Sequence, residues 1–361
     1  MTSPGDSLRS LLSSEIKRGA MPGAAWRVVD SRGPVATGAE GSAALTPETF
    51  RLFFDTPFDL ASLTKPLATA LLAVLLEREG RLSLDAPLGS IFPELNASPF
   101  GRATLKDVAL HRAGLPAWAP LYLAGTTREA YRAAIAASPH QDAPTGTLYS
   151  DLGYLLLGWA VELASGTSLD RLFGERVAQP LGLARCGFPG TTNAFADAAA
   201  TELRREFEQT VAGSEARCAR VLTAVVRGQV HDGNACGLGG VAGHAGLFGS
   251  AADVAAIAGA LLDPRRLGLP VGAFDVMLRP ALHGEGARTI GFLRAADSES
   301  VRGILPDDAV GHWGFTGTSV WIDPVRPRIY VLLTNRVHPA VPKEPFTATR
   351  RAFHLTVSAL A

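Results

Sequence analysis

Cysteine is scarce in this chain of 361 residues, and no two cysteines are spaced as C-x-x-C. The three thiols, at Cys186, Cys218 and Cys236, are too few and odd in number for a framework of disulfide bonds, so we expect them to be reduced and buried. An excess of charge is also lacking, because 34 basic residues are balanced by 34 acidic ones. No bulk positive field is available to attract phosphate groups, so we expect no binding to nucleic acid.

Long apolar runs are absent as well. No segment reaches the roughly 18 uninterrupted apolar residues of a membrane span. Residues 1–23 contain neither a basic start that leads into an apolar stretch nor a small-residue cleavage site. These absences predict a cytoplasmic protein without a membrane span, unless an export signal has been trimmed from the chain.

The composition that remains is that of a globular protein, with 47% hydrophobic and 19% charged residues. Strand-like runs occur near both ends of the chain, at 24–29 and 328–334, while the middle reads as helices joined by loops rich in glycine and proline. This pattern predicts an α/β (α+β) sheet domain built from residues 1–83 and 250–361, with a mainly helical insertion over 84–249. An active site is expected in the cleft between them.

Lysine is rare, with four lysines against 30 arginines. Because a guanidinium group cannot act as a base, we expect lysine where a compact amine must lose its proton. Lys65 follows Ser62 by three residues at the start of a predicted buried helix over 62–78, and residues three apart share a helix face. A desolvated lysine has a lowered pKa and can take the proton of a neighbouring serine. The same spacing at Ser14 and Lys17, on a predicted exposed helix, indicates that the pair alone is a weak signal.

A second group is Tyr149-Ser150-Asp151, the only Y-x-[ND] triplet in the chain, directly before a predicted helix. A phenol near a cationic lysine has its ionised form stabilised and can relay protons. The alternative is that Ser150 or Asp151 only caps the helix and that Tyr149 is only a packed aromatic residue.

A third group is the sequence HWGFTG at residues 312–317, which runs into a predicted strand at 318–322. Glycine allows the backbone to approach a substrate closely, and an N–H at a strand edge can form half of an oxyanion hole. His244 also begins an H-x-G triplet, but it lies in a glycine-rich loop before a predicted helix. We therefore favour His312 as the site residue.

The order S-x-x-K, Y-x-[ND], [KH]-x-G, with separations of about 85 and 160 residues, is the layout of active-site-serine penicillin-recognising enzymes. The sequence resembles the serine β-lactamase and penicillin-binding protein superfamily, in particular class C β-lactamases, D-alanyl-D-alanine peptidases and related esterases. Stretches at 110–116, 180–183, 239–244 and 321–324 extend the resemblance over almost the whole chain. It implies a β-lactamase/transpeptidase-like fold, in which an antiparallel sheet is flanked by helices and carries a helical insertion.

The resemblance also implies roles for individual residues. Ser62 would be the nucleophile that becomes acylated, Lys65 its proton acceptor, and Tyr149 the partner base in acylation and deacylation. The backbone N–H groups of Ser62 and Phe315 would form the oxyanion hole, beside the close backbone approach that Gly314 allows.

Three positions depart from the family pattern. His312 stands where lysine is common and would supply a hydrogen-bond donor or a partial charge. Asp151 stands where asparagine is common, and its carboxylate can pair with Lys65, raise the pKa of the amine and weaken it as a base. Trp313 replaces the small Thr or Ser whose hydroxyl helps to bind a substrate carboxylate, which favours esters over β-lactams and D-Ala-D-Ala peptides.

Three further residues are weaker candidates. His231 and Asp232 lie in a glycine-rich loop that resembles one near the active site in relatives, but a loop histidine is more often a turn residue or solvated. His244 and Cys236 do not have the spacing of a metal site, and we expect neither a metal nor an organic cofactor.

These observations predict a serine hydrolase that acts through a covalent acyl-enzyme on an ester or amide, as an esterase, D-Ala peptidase or β-lactamase would. The expected substrate is a small molecule or a short peptide. The alternative is a catalytically silent binding protein with the same fold, since Asp151 and Trp313 both depart from the pattern. A common α/β hydrolase with a Ser-His-Asp triad is disfavoured because G-x-S-x-G is absent. The oligomeric state is left open.

Overall fold

The centre of the fold is an antiparallel sheet with strands from both ends of the chain. The computed structural model describes residues 4–142, 146–189, 194–213, 227–280 and 288–359. Seven of its strands pair in the order β3-β2-β1-β9-β8-β7-β6, and β4 pairs with β5 in a small second sheet. The strands are β1 (Gly23–Asp30), β2 (Gly33–Ala44), β3 (Phe50–Arg51), β4 (Phe58–Asp59), β5 (Phe248–Gly249), β6 (Leu293–Arg294), β7 (Val310–Trp313), β8 (Ser319–Asp323) and β9 (Arg328–Thr334).

Helices cover both faces of the main sheet. The two terminal helices, α1 and α13, pack together on one face, and α11 packs on the other. The described α-helices are α1 (Pro4–Lys17), α2 (Leu71–Arg78), α3 (Leu88–Ile91), α4 (Leu105–Ala109), α5 (Arg128–Ala136), α6 (Asp151–Ser165), α7 (Leu169–Phe173), α8 (Gln179–Leu181), α9 (Glu206–Ala212), α10 (Gly233–Gly237), α11 (Ala251–Leu262), α12 (Asp275–Leu278) and α13 (Thr347–Ser358).

The central strands divide the core into two layers because successive side chains of a strand point to opposite faces. In β9, Val331 and Leu333 join the larger cluster under α11, whereas Tyr330 and Leu332 join the cluster under α1 and α13. A strand buried on both faces reads as a continuous apolar run, and this explains why the sequence predicts residues 328–334 correctly.

The predicted helix over 62–78 is wrong in its first half. The structure has a single 3₁₀ turn at Ala61–Leu63, a π-helical segment at Lys65–Ala70, and only then α2. Ala61 has a φ of 48°, in the left-handed region that residues with a side chain rarely adopt. An α-helix that began at Ser62 would need the N–H of residue 66 to donate to the Ser62 carbonyl. Pro66 has no N–H, so a regular α-helix does not begin there.

The cysteines only partly follow the expectation. Cys186 is buried, Cys236 is half-buried, and both are free, while Cys218 lies outside the described residues. Across the ranges that the structure describes, none of the helices combines the length and apolar character that a membrane crossing requires.

Candidate active site

Ser62 lies in the sharp turn that follows β4. The Asp59 carboxylate accepts a hydrogen bond from the N–H of Ala61 at 2.8 Å, and the Thr64 hydroxyl donates to the carbonyl of Ala61 at 2.6 Å. These two bonds hold the left-handed conformation of Ala61 and leave the Ser62 side chain half-buried. The turn therefore presents a hydroxyl group from an otherwise buried segment.

The Lys65 amine contacts the Ser62 hydroxyl. Its Nζ lies 2.9 Å from Ser62 Oγ, 2.7 Å from Asp151 Oδ1 and 3.1 Å from the carbonyl oxygen of His244. The side chain has no exposed surface. Burial is the largest influence and acts to lower the pKa of Lys65, but the charge of Asp151 and the Tyr149 hydroxyl together outweigh it, so the pKa is raised. The expectation that burial lowers the pKa of Lys65 is wrong, whereas the expectation that the Asp151 carboxylate raises it is confirmed.

The α6 N-terminus brings Tyr149 and Asp151 to this pair. The Ser150 hydroxyl caps the helix by accepting the Gly153 N–H at 3.2 Å, which leaves the Asp151 carboxylate free to face Lys65. The Tyr149 hydroxyl interacts with both Lys65 and Ser62, and the Lys65 Nζ is 4.8 Å from the centre of the phenol ring. Burial raises the pKa of Tyr149, and the nearby Lys65 charge opposes that rise.

The third motif, HWGFTG at residues 312–317, begins on β7, a strand that the sequence analysis did not predict. The rest of the motif forms a loop that packs against the Ser62 turn. The Thr316 hydroxyl donates to the Asp59 carbonyl at 2.8 Å, and the Thr318 hydroxyl donates to the Leu60 carbonyl at 3.1 Å. A Cβ at Gly314 would lie 2.6 Å from the Leu60 carbonyl oxygen, so only glycine fits. Gly314 is thus needed for contact with the Ser62 segment itself.

His312 does not carry the positive charge that a lysine would carry at this position. Its Nδ1 lies 2.9 Å from the Trp313 carbonyl, which can only accept, so Nδ1 carries the proton. Burial lowers the pKa of His312 well below its usual value, so the ring is neutral and Nε2 is an acceptor. The neutral ring therefore supplies no positive charge, and its one N–H donor is directed to the Trp313 carbonyl. The ring lies 5.7 Å from that of Tyr149.

A cation that the sequence analysis missed lies beside these rings. The Arg288 guanidinium is 5.8 Å from the centre of the Tyr149 ring, and burial lowers its pKa. No motif surrounds Arg288, and an arginine is common in this chain, so the sequence carried no signal for it.

A cavity of about 290 Å³ opens on one side of Ser62. Phe315 lines it and packs against Phe207 at 5.1 Å and against His231 at 5.6 Å between ring centres. Trp313 is 39% exposed and is not among the residues that line this cavity.

The three weaker candidates all line this cavity. His231 is buried, its Nε2 lies 2.8 Å from Glu202 Oε2, and its N–H donates to Asp59, so the view of a solvated loop histidine is wrong. Asp232 caps α10 and lies 2.8 Å from the Nε2 of the buried His244. Over the described parts of the chain, His, Cys, Asp and Glu form no cluster of three or more that could hold a metal ion.

Together these groups provide a hydroxyl, a proton-accepting pair, and two backbone N–H groups on segments that are bonded to each other. Such a set is suited to acyl transfer through a covalent intermediate, in which the hydroxyl attacks a carbonyl group and the N–H groups stabilise the oxyanion.

Comparison with known proteins agrees with this chemistry. The chain is 32% identical to a protein of Escherichia coli strain K12 named "Putative D-alanyl-D-alanine carboxypeptidase", over 79% of this chain and 70% of that protein. It is 30% identical to a protein of the same name from Salmonella agona strain SL483, over 80% of this chain and 71% of the relative.

Solved structures share the fold at lower identity. EstCE1, described as a hydrolase with promiscuous acyltransferase activity, has a TM-score of 0.75 at 19% identity, covering 99% of this chain and 98% of that one. A class C β-lactamase from Rhodobacter sphaeroides has a TM-score of 0.71 at 20% identity, covering 99% and 100% of the two chains. The predicted β-lactamase/transpeptidase-like fold is confirmed.

The family itself is identified over most of the sequence. The model of the Beta-lactamase family matches residues 8–352. The prediction of a serine hydrolase is confirmed by this match and by the relatives. The chain therefore belongs to the β-lactamase family of serine hydrolases.

Proposed function

We propose that this protein hydrolyses an ester or amide through an acyl-enzyme formed on Ser62. The Ser62 hydroxyl loses its proton to the Lys65–Tyr149 pair as Oγ bonds to the substrate carbonyl carbon. That proton then passes to the leaving group as its bond to the carbonyl carbon breaks. Water, deprotonated by the same pair, attacks the acyl-enzyme and releases the acid with Ser62 restored.

The observation that carries this proposal is the 2.9 Å contact between Lys65 Nζ and Ser62 Oγ, with Tyr149 interacting with both groups. Since Lys65 and Tyr149 interact directly, they titrate as a pair, and the active form is the one that has lost one proton. The N–H groups of Ser62 and Phe315 supply the oxyanion hole. We further propose that esters are better substrates than β-lactams, because Trp313 provides no hydroxyl for a substrate carboxylate.

The experiment is covalent labelling with a fluorophosphonate, read by the mass of the labelled peptide. We expect the label on Ser62, none in Ser62→Ala, and a rate of labelling at least about 100-fold lower in Lys65→Arg, because arginine cannot accept the proton. Ser14→Ala is the matched control, since Ser14 and Lys17 have the same spacing on α1. Full labelling in Ser62→Ala, or most of the rate kept in Lys65→Arg, would refute the assignment.

A further inference from the structure

Arg350 lies behind the loop that carries the Phe315 N–H. It belongs to α13 and is only 8% exposed. Its Nη2 donates to the Gly314 carbonyl oxygen at 3.0 Å and to the Thr318 carbonyl oxygen at 3.4 Å. The guanidinium group therefore joins the two ends of the loop 314–318.

Backbone hydrogen bonds close the same loop. The Gly314 N–H donates to the Thr318 carbonyl at 2.8 Å, and the Gly317 N–H donates to the Gly314 carbonyl at 3.1 Å. The Gly314 carbonyl thus accepts from two donors, Gly317 and Arg350. Because a carbonyl oxygen has two lone pairs, both are occupied, and the peptide group that contains this carbonyl is held in one orientation.

That peptide group also contains the Phe315 N–H. The bond between Gly314 and Phe315 is trans, so its C=O and its N–H point in opposite directions. Within the part of the chain that the structure describes, the Phe315 N–H donates to no backbone carbonyl, and Phe315 lines the cavity beside Ser62. The peptide group thus receives a guanidinium hydrogen bond on one side and offers a donor on the other.

Arg350 is a buried cation without a carboxylate partner. No Asp or Glu of the described residues forms a salt bridge with it, and the charge of Arg336, which acts on it, has the same sign. Burial and Arg336 lower the pKa of Arg350 to about 9, which leaves the guanidinium group charged at pH 7. A buried charge costs free energy unless it is compensated. Here the compensation comes from the carbonyl oxygens of Gly314 and Thr318, so the positive charge is directed at the loop.

We propose that Arg350 is a positioning residue of the oxyanion hole, which holds the peptide group between Gly314 and Phe315 and polarises it toward the substrate. The place of the Phe315 N–H in the oxyanion hole rests on the proposed function. A hydrogen bond to the carbonyl of a peptide group draws electrons toward that oxygen, so the N–H of the same group becomes a stronger donor. A charged donor has the larger effect.

This polarisation should act on the transition state more than on the bound ester. Negative charge develops on the substrate oxygen only as the Ser62 hydroxyl attacks the carbonyl carbon. An interaction that strengthens as this charge develops raises kcat, whereas an interaction present equally in the bound ester would change KM. Loss of the Arg350 guanidinium should therefore lower kcat and leave KM nearly unchanged.

The test is hydrolysis of p-nitrophenyl butyrate at pH 7 by Arg350→Met, which keeps an apolar stem but has no N–H group. Active sites are counted by the endpoint of fluorophosphonate labelling. We expect kcat per active site to fall by about 10- to 100-fold, less than the loss of a whole oxyanion-hole donor, while KM changes by less than about threefold. A purely structural role would lower the number of active sites or the thermal unfolding midpoint, but not kcat per site.

Arg351→Met is the matched control. Arg351 is the next residue of α13, is exposed, and donates to the carbonyl oxygens of Glu299 and Arg302, which do not line the cavity. Its kcat should equal that of the wild type. Arg350→Lys keeps the charge and should retain most of the rate, whereas Arg350→Gln keeps a donor without the charge and should retain less. These two variants decide the question if Arg350→Met does not fold.

The infrared band of the acyl-enzyme carbonyl reports the oxyanion hole directly, because stronger donors weaken the C=O bond and lower its stretching frequency. The acyl-enzyme is trapped by rapid mixing with an ester that is isotope-labelled at the carbonyl carbon. The band should lie at a higher frequency in Arg350→Met than in the wild type or Arg351→Met. An unchanged frequency, a kcat close to that of the wild type, or equal kcat values for the Lys and Gln variants would overturn the proposal.

Failure of the proposed function gives a different result. If the wild type hydrolyses no ester, phenylboronic acid still tests the oxyanion hole. The Ser62 proton passes to the Lys65–Tyr149 pair as Oγ bonds to boron, which becomes tetrahedral without losing a group. Binding that is about 10-fold or more weaker in Arg350→Met than in the wild type and Arg351→Met supports the role of Arg350 independently of turnover. Equal binding by all three proteins, or binding by none of them, refutes it.

Discussion

Replacing Asp151 by asparagine should shift the pH dependence of the enzyme toward acid. Asp151 Oδ1 lies 2.7 Å from Lys65 Nζ, and the carboxylate raises the pKa values of both Lys65 and Tyr149. Asparagine has nearly the same shape and keeps one oxygen acceptor, but it removes the negative charge. Burial then acts on Lys65 with less opposition, so the Lys65–Tyr149 pair loses its proton more easily.

The size of the shift follows from the strength of the contact. A hydrogen bond to a charged group contributes about 1.5–3 kcal/mol, and one pKa unit corresponds to about 1.36 kcal/mol. The acid limb of kcat/KM reports the proton that the free enzyme must lose. Because a raised pKa on Lys65 keeps the pair protonated to higher pH, removing the Asp151 charge should move this limb down by about 1–2 pH units.

The assay is kcat/KM for a p-nitrophenyl ester between pH 5 and pH 10. Asp170→Asn is the matched control, because Asp170 lies in the first turn of α7 and has no contact with Lys65. Thermal unfolding of each variant defines the pH range in which it is folded, since loss of one partner of a buried ion pair also destabilises a protein. An acid limb that stays within about 0.3 units of the wild type, or moves to higher pH, would refute the pairing of Asp151 with the catalytic lysine.

Two further substitutions test the third motif. Trp313→Thr restores a small hydroxyl, so the ratio of kcat/KM for a chromogenic cephalosporin to that for a p-nitrophenyl ester should rise by about 10- to 100-fold; a wild type that already prefers the cephalosporin contradicts this reasoning. Gly314→Ala places a Cβ 2.3 Å from Thr318 Oγ1 and 2.6 Å from the Leu60 carbonyl oxygen, and overpacking of this kind should lower the free energy of unfolding by about 1–3 kcal/mol. The measurement is urea denaturation, with Gly187→Ala as the control because a Cβ at Gly187 meets no atom within 4 Å. Equal denaturation midpoints for the two variants would show that the close contact between Gly314 and the Leu60 carbonyl is not needed.

Local signals explain what the sequence predicts well. β9 is a continuous apolar run, which is typical of a strand between two layers of helices. Ser62 and Lys65 lie within one turn, so their contact requires only local helical geometry. The order of the three motifs then indicates the family without any knowledge of the tertiary contacts.

Contacts between distant segments explain what the sequence does not predict. β7 contains Gly311, a poor strand former, because a side chain there would come within 2.3 Å of the Trp321 ring on the neighbouring strand. The raised pKa of Lys65 depends on the position of Asp151 at the start of α6, which no local pattern around Lys65 specifies. Glu208 lines the cavity because α9 packs beside the start of α10, where the Gly233 N–H donates to its carboxylate.

The hydrogen bonds from Thr316 and Thr318 to the Ser62 turn also determine when the enzyme becomes active during its synthesis. These bonds join residues 257 and 258 positions apart in the chain. Ser62 therefore leaves the ribosome long before the segment that carries the Phe315 N–H has been made. Closing so long a loop is slow, because the chain must lose conformational entropy before the stabilising contacts between its two ends can form. A nascent chain can thus carry its nucleophile without being able to use it, and activity should arise only in the last stage of folding.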